Sequence, residues 1–160
     1  MNEFSDTSPT SEAETRSSKK GSPVKAIIIG LLVDIIGSTV LVIILGIVYS
    51  MVLASQGLTP EEIEYRLTNL DPYSAFSIIC MFFGGLMTVI AGYLCARIVN
   101  YSEYTYAFIL GFISAMIGFT AGESYYSTLD NLFLVLLTLG CALFGAWLYV
   151  KNKTDKPNEN

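Results

Sequence analysis

Four long runs of apolar residues dominate the chain, and short polar segments separate them. A helix needs about 20 predominantly apolar residues to cross a hydrocarbon core about 30 Å thick. The runs therefore predict four membrane-spanning helices, at about 26–54, 74–99, 104–122 and 129–150. The first run is long enough to require tilt or an end that projects past the hydrocarbon.

The polar segment between the first two runs carries its own helix signals. Thr59 is a favoured N-cap residue, Pro60 suits the first helical position, and Glu62 stands three residues after the cap. The apolar positions that follow recur at helical spacing and form one stripe: Ile63, Leu67 and Leu70. The pattern predicts a short amphipathic helix at about 60–70, on the external face of the membrane.

The composition agrees with a membrane protein. Of 160 residues, 52% are hydrophobic and 14% are charged, and the charges are concentrated outside the four runs, which is not typical of a soluble globular domain. Residues 1–23 hold nine Ser or Thr and no sustained apolar pattern, so we predict a disordered cytoplasmic tail. The expected organisation is this tail, a transmembrane domain over 24–150 and a second cytoplasmic tail over 151–160.

The distribution of Lys and Arg predicts the orientation. Positive charges next to spans are enriched on the cytoplasmic side. Eight basic residues fall on the side that holds both termini, and only Arg66 falls on the other side. The sequence therefore places the N terminus and the C terminus in the cytoplasm.

Small residues spaced four apart indicate where helices approach closely in lipid. The second span carries one such row: Gly84, Thr88, Gly92 and Ala96. The third span carries two adjacent rows: Ala107, Gly111 and Ala115, beside Ser114, Gly118 and Gly122. These rows predict a tight helical bundle, and they fit an internal interface and a contact between protomers equally well.

Three charged residues within or next to the spans are candidates for an ion pair or a functional site. Asp34 is the main candidate for a functional site, because a carboxylate at the centre of a span costs roughly 2.5–3.5 kcal/mol and normally faces the bundle interior or a partner. Arg97 approaches the same leaflet from the second span, so the structural interpretation is an intrabundle ion pair or hydrogen-bonded contact with Asp34 that fixes how the first two spans meet. The functional interpretation makes Asp34 a carboxylate that binds a proton or a cation. Glu123, at the outer end of the third span, is a weaker candidate.

No pattern in the sequence indicates an enzyme. The chain has no His, no pair of carboxylates within the spans, no nucleophile motif and no phosphate-binding glycine loop. Its three cysteines all fall in apolar runs without metal-ligand spacing, so we expect packing roles for them and neither a metal site nor a bound cofactor. The basic residues lack the density of a nucleic-acid surface.

The runs VDIIGS, LASQGLTPEEIE and GGLMTVIAGYLCARI together resemble a group of small bacterial four-span membrane proteins whose activity is uncharacterised. This resemblance covers most of residues 26–122 and implies a location in the bacterial cytoplasmic (inner) membrane. The chain is also similar to the small multidrug resistance transporters in its span count and in the acidic residue of its first span. It differs from them in having Asp34 where they have glutamate, a long external helix and a longer tail.

From the sequence we expect an all-α, polytopic four-helix bundle with a structural, accessory or partner-binding role. The alternative is a small proton-coupled transporter that uses Asp34. The expected partners are the lipid bilayer and either another membrane protein or a second copy of the chain, and we expect no nucleic acid.

Overall fold

The computed structural model describes residues 22–122 and 127–155, and every regular element in these two ranges is an α-helix. The predicted all-helical fold is confirmed. Four of the helices are long and apolar enough to cross a membrane. The elements are α1 (Pro23–Ser55), α2 (Pro60–Thr68), α3 (Ala75–Val99), α4 (Glu103–Gly122) and α5 (Thr128–Thr154).

Two of the spans are longer than hydropathy predicts. Helix α1 begins at Pro23 rather than near Ala26, because proline at a first-turn position needs no hydrogen-bond partner for its nitrogen. Helix α5 continues to Thr154 although the apolar run ends near Val150. Its last turn contains Lys151 and Lys153, and cations there interact favourably with the helix dipole. Hydropathy marks where the hydrocarbon ends, whereas these helices extend beyond it.

The four spans are antiparallel in chain order, and α3 packs against each of the other three. The start of α1, the end of α3, the start of α4 and the end of α5 lie together, and we call this the terminal end. We call the opposite end, where α2 lies, the α2 end. There the Tyr73 hydroxyl donates to the Asp130 carboxylate at 2.6 Å, which links the segment before α3 to the start of α5.

Backbones approach closely where α5 crosses α3 and α4. A Cβ atom added to Gly145 would overlap the carbonyl oxygen of Val89, and one added to Gly92 would overlap that of Ala142. A Cβ atom on Gly111 would come within 2.8 Å of the Cβ of Ala142. Glycine at these positions therefore permits the contacts between helices that stabilise a bundle in lipid.

Polar contacts join the helices at the terminal end. Asn100, in the left-handed conformation with φ of 55°, ends α3 and begins the short connection to α4. Its side-chain oxygen accepts hydrogen bonds from Lys153 Nζ at 2.7 Å and from the Tyr149 hydroxyl at 3.1 Å. Lys153 also forms a salt bridge of 3.1 Å with Glu103. One lysine on α5 thus contacts both sides of the α3–α4 connection.

Most large apolar side chains of the spans point away from the bundle. Ile47 is 57% exposed, Phe82 is 64% exposed and Leu136 is 61% exposed, although each lies within a long apolar helix. The buried core consists mainly of small residues, among them Ala91, Ala142 and Ala146. This arrangement, with bulky residues outside and small residues between helices, is typical of a bundle in lipid. The chain is a multi-pass membrane protein.

Helix α2 has the predicted N-terminal capping box. The Thr59 hydroxyl accepts from the Glu62 N–H at 3.4 Å, and the Glu62 carboxylate accepts from the Thr59 N–H at 2.8 Å. The stripe predicted at Ile63, Leu67 and Leu70 is the less exposed face of the segment. Because α2 contacts α1, this stripe lies toward the bundle.

The capping box makes the start of α2 sensitive to acid. The hydrogen bond from the Thr59 N–H, then that from the Thr59 hydroxyl and the charge of Arg66, lower the pKa of Glu62 below its ordinary value of 4.5. Because the pKa of Glu62 is lower in the folded protein than in the unfolded one, the capping hydrogen bonds stabilise α2 fully above pH 4.5. This stabilisation of α2 is lost as the pH falls through the folded-state pKa of Glu62. We expect the protection of the first-turn amides of α2, measured against the exchange rate of an unfolded peptide at the same pH, to fall at acid pH. The Glu62→Gln variant should keep the helix and lose the acid step, whereas Glu64→Gln should keep both, and an unchanged acid step in Glu62→Gln would contradict the assignment.

Candidate functional site

Asp34 is buried in the membrane bundle, with 4% of its surface exposed. The Thr88 hydroxyl of α3 donates to Asp34 Oδ1 at 2.9 Å, and the Ser114 hydroxyl of α4 donates to Asp34 Oδ2. Each carboxylate oxygen therefore has one donor from a different neighbouring helix. Asp34 connects three of the four spans through neutral hydroxyl groups.

These three residues lie at one level of the bundle. Asp34, Thr88 and Ser114 are eleven residues from Pro23, Val99 and Glu103 respectively, and those three residues are the helix ends at the terminal end. At 1.5 Å per residue, this places the carboxylate about 16 Å from the helix ends at the terminal end.

A cavity of about 220 Å³ adjoins the carboxylate, and all four spans contribute to its lining. Its polar lining consists of Asp34, Ser38, Thr88, Ser114 and Thr138. The cavity is partly open at the surface of the bundle, where its lining residues Met81, Gly118 and Leu137 are exposed. Its volume has room for several water molecules, and its polar groups can hydrogen-bond to them. The cavity therefore has the size and polarity to hold a hydrated proton or a small cation beside Asp34.

The predicted ion pair between Asp34 and Arg97 is not formed. Arg97 is exposed and lines an open pocket at the terminal end with Tyr93, Tyr149 and Lys153. It follows Thr88 by nine residues on α3, which is roughly 13 Å along the helix axis. Within residues 22–122 and 127–155, Lys153 and Glu103 form the salt bridge, and no basic side chain pairs with Asp34. The sequence showed that both charges approach one leaflet but did not show their separation.

The residues of the predicted small-residue rows have two different roles. Gly92, Ala96, Gly111 and Ala115 are buried at helix contacts. In contrast, Gly84 and Gly118 have no heavy atom within 4 Å of an added Cβ, and both line the cavity beside Asp34. Their lack of side chains leaves the space open. Glu123 lies outside the residues that the structure describes.

Sequence reasoning placed Thr88 and Ser114 in packing rows and missed their contact with Asp34. A signal was present, since both are hydroxyl residues in spans otherwise made of apolar and small residues. A hydroxyl within a span also hydrogen-bonds readily to the carbonyl four residues earlier, as Thr138 does with Leu134 at 2.8 Å. Sequence alone therefore does not show which hydroxyl residues reach across to another helix.

The hydrogen-bond partners of Asp34 are both hydroxyl oxygens, and this restricts the chemistry of the site. Carboxylate, hydroxyl and carbonyl oxygens suit protons and hard cations rather than soft metals. Among the described residues, no group of three or more His, Cys, Asp or Glu side chains is placed to hold a metal ion. Cys141 is the nearest sulfur ligand in the cavity lining, and it has no second thiol or imidazole beside it. The site fits a monovalent cation better than a transition metal.

Comparison with protein-family models, with curated protein sequences and with solved structures gives no match.

Proposed function

We propose that this protein is a small membrane carrier in which Asp34 alternately binds a proton and a monovalent cation. The observation that supports this proposal is a buried carboxylate that faces a polar cavity and has hydroxyl donors but, within the described part of the chain, no basic partner. A carboxylate neutralised by arginine would serve a structural role, and here Arg97 lies in a different pocket. Without that partner, the charge of Asp34 is available for a mobile cation.

The hydroxyl of Thr88 suits both states of such a site. Its oxygen lies 2.9 Å from Asp34 Oδ1 and 3.3 Å from the carbonyl oxygen of Gly84, and its single proton is donated to one of them at a time. When Asp34 is ionised, Thr88 donates to the carboxylate. When Asp34 carries a proton, that proton is donated to Thr88, whose own proton turns to Gly84. Both states keep every polar group hydrogen-bonded.

The proposed orientation has both termini in the cytoplasm of a bacterial cell, as the distribution of Lys and Arg predicts. In this orientation the α2 end faces outward. A carrier would then exchange protons and cations across the cytoplasmic membrane. The accessory role remains the competing proposal, because the hydrogen bonds of Asp34 also fix α1 against α3 and α4.

Proton release on cation binding tests the proposal. Purified protein in detergent and weak buffer receives sodium chloride or potassium chloride, and a pH-sensitive dye reports the protons displaced. We expect release of no more than a single proton per chain, because each chain contributes one such carboxylate. The Asp34→Asn variant should release none, and Asp155→Asn, which changes an exposed carboxylate, should behave like the wild type. Equal release from folded Asp34→Asn would refute the proposal, and so would an absence of release from the wild type at every pH.

A further inference from the structure

Asn131 is a buried polar residue that no contact explains. Only 4% of its surface is exposed, and it lines a second cavity of about 180 Å³ between α4 and α5. Its side-chain amide has no hydrogen bond to any residue in 22–122 or 127–155. Among the described residues, every side-chain nitrogen or oxygen that is fully inaccessible has a hydrogen-bond partner. The amide of Asn131 therefore reaches the cavity, where water or an ion satisfies it.

This second cavity adjoins the cavity beside Asp34. The two share three lining residues, Gly118 on α4 and Leu134 and Thr138 on α5. Gly118 has no heavy atom within 4 Å of an added Cβ, so the space at this junction is open. The two cavities thus lie side by side, with Asn131 lining one, Asp34 lining the other and Thr138 lining both.

The two cavities extend from the α2 end to the middle of the bundle. Asn131 is three residues after Thr128, the start of α5, or about 4.5 Å along the axis. Cys141, which lines the cavity beside Asp34, lies ten residues further, or about 15 Å. The two adjoining cavities together span the distance from the α2 end to the carboxylate.

We infer that Asn131 forms an outer binding position for a hydrated monovalent cation, on an access route between α4 and α5 that leads from the α2 end to Asp34. The inference rests on the proposed function for the role of Asp34, whereas the route itself rests on the cavities. The amide oxygen of Asn131 replaces part of the ion's water shell, and the hydroxyl of Thr138 lines the passage to the carboxylate. The proposed entrance is at the α2 end, whereas toward the terminal end the helices pack in the buried cluster that contains Cys95, Val99 and Leu110.

Native Cys141 provides a direct test, because its thiol lies at the inner end of the route. Cys80 is replaced by alanine, and Cys95 is kept because it is fully buried. Sealed proteoliposomes receive a methanethiosulfonate reagent with a trimethylammonium or a sulfonate group, and mass spectrometry measures the modification of Cys141. Glu64→Cys on α2 and Lys151→Cys at the terminal end identify the accessible side of each vesicle population.

We expect modification of Cys141 from the α2 side only. When each rate is divided by the rate of the same reagent with a free thiol, the cationic reagent should react roughly tenfold faster, because the carboxylate attracts cations into the cavity. Leucine at Gly118 should block the junction and slow the modification about tenfold, since pore width controls passage. Gly46→Leu is the matched control, because Gly46 also has open space around it but lies on α1, away from the route. Modification from the terminal side, or an unchanged rate in Gly118→Leu, would overturn the route.

The cation position at Asn131 is tested by the sodium concentration that gives half-maximal proton release. Replacement of Asn131 by leucine should raise this concentration about tenfold, the effect of losing about 1.4 kcal/mol of binding free energy. An unchanged concentration would overturn the outer position. These results are separable from the proposed function, since labelling of Cys141 requires no ion exchange. Blocked labelling in Gly118→Leu without proton release from the wild type would support the route and refute the carrier.

Discussion

Alanine at Gly145 is expected to destabilise the bundle, whereas alanine at Gly140 is expected to stabilise it. A Cβ atom at Gly145 would overlap the Val89 carbonyl oxygen and lie 2.8 Å from the Tyr93 nitrogen. Both are backbone atoms of α3, so a side-chain rotation cannot relieve the overlap and the two helices must separate. Such overpacking typically costs about 1–3 kcal/mol, and we expect leucine at this position to cost more than alanine.

Gly140 is the matched control for Gly145 on the same helix. It has no heavy atom within 4 Å of an added Cβ, so alanine there meets no obstacle. Alanine is better than glycine in a helix interior by roughly 0.8–1.0 kcal/mol. Unfolding in mixed micelles is followed by the fluorescence of Trp147, the single tryptophan of the chain, which stacks on Phe144. Equal stabilities of Gly145→Ala and Gly140→Ala would show that α3 and α5 do not pack as described.

The architecture was predictable from sequence because the bilayer imposes simple conditions. A helix must be long and apolar to cross it, and the segments 74–99 and 104–122 differ by one residue at most from Ala75–Val99 and Glu103–Gly122. The capping residues Thr59 and Glu62 likewise act between neighbours in the chain. Such local conditions appear directly in the order of residues.

The candidate site was only half predictable. The cost of a charge in hydrocarbon identifies Asp34 from sequence alone. Its partners depend on how far each helix slides and rotates against the next, and a shift of one residue turns a helix by about 100°. Arg97 was a reasonable partner by charge, yet the register between α1 and α3 places Thr88 opposite Asp34 instead. The position of Asn131 in the cavity was not predicted, because the sequence shows only one amide residue near a helix start, which is an ordinary feature of a first turn.

Replacement of Asp34 by asparagine should abolish proton-coupled cation exchange and leave the fold nearly unchanged. Asparagine has the same shape, so its amide oxygen can accept from Ser114 and its amide nitrogen can donate to Thr88, whose proton turns to Gly84. A hydrogen bond between helices in a membrane contributes about 0.6 kcal/mol on average, so weakened geometry at both bonds costs about 1 kcal/mol. The lost charge, in contrast, removes the group that binds the proton and the cation.

The measurement uses proteoliposomes that contain a pH-sensitive dye. Addition of external sodium chloride should make the interior alkaline with the wild type, as protons leave in exchange for sodium ions. Asp34→Asn should reduce the rate to that of protein-free vesicles, while Asp155→Asn should retain it. The midpoint of unfolding of Asp34→Asn in mixed micelles should shift only slightly, because the hydrogen bonds of residue 34 to Thr88 and Ser114 persist.

The size of the stability change separates the two proposed roles of Asp34. If the carboxylate mainly fixes α1 against α3 and α4, then Asp34→Asn should lose stability or fail to accumulate, and Thr88→Val should show the same defect because it removes one of the two bonds. If Asp34 mainly binds ions, both variants should fold, and Thr88→Val should alter the pH dependence of exchange because it removes the group that adapts to the protonation of Asp34. A stable Asp34→Asn variant with full exchange would exclude Asp34 as the ion site, and an unstable one would favour the accessory role.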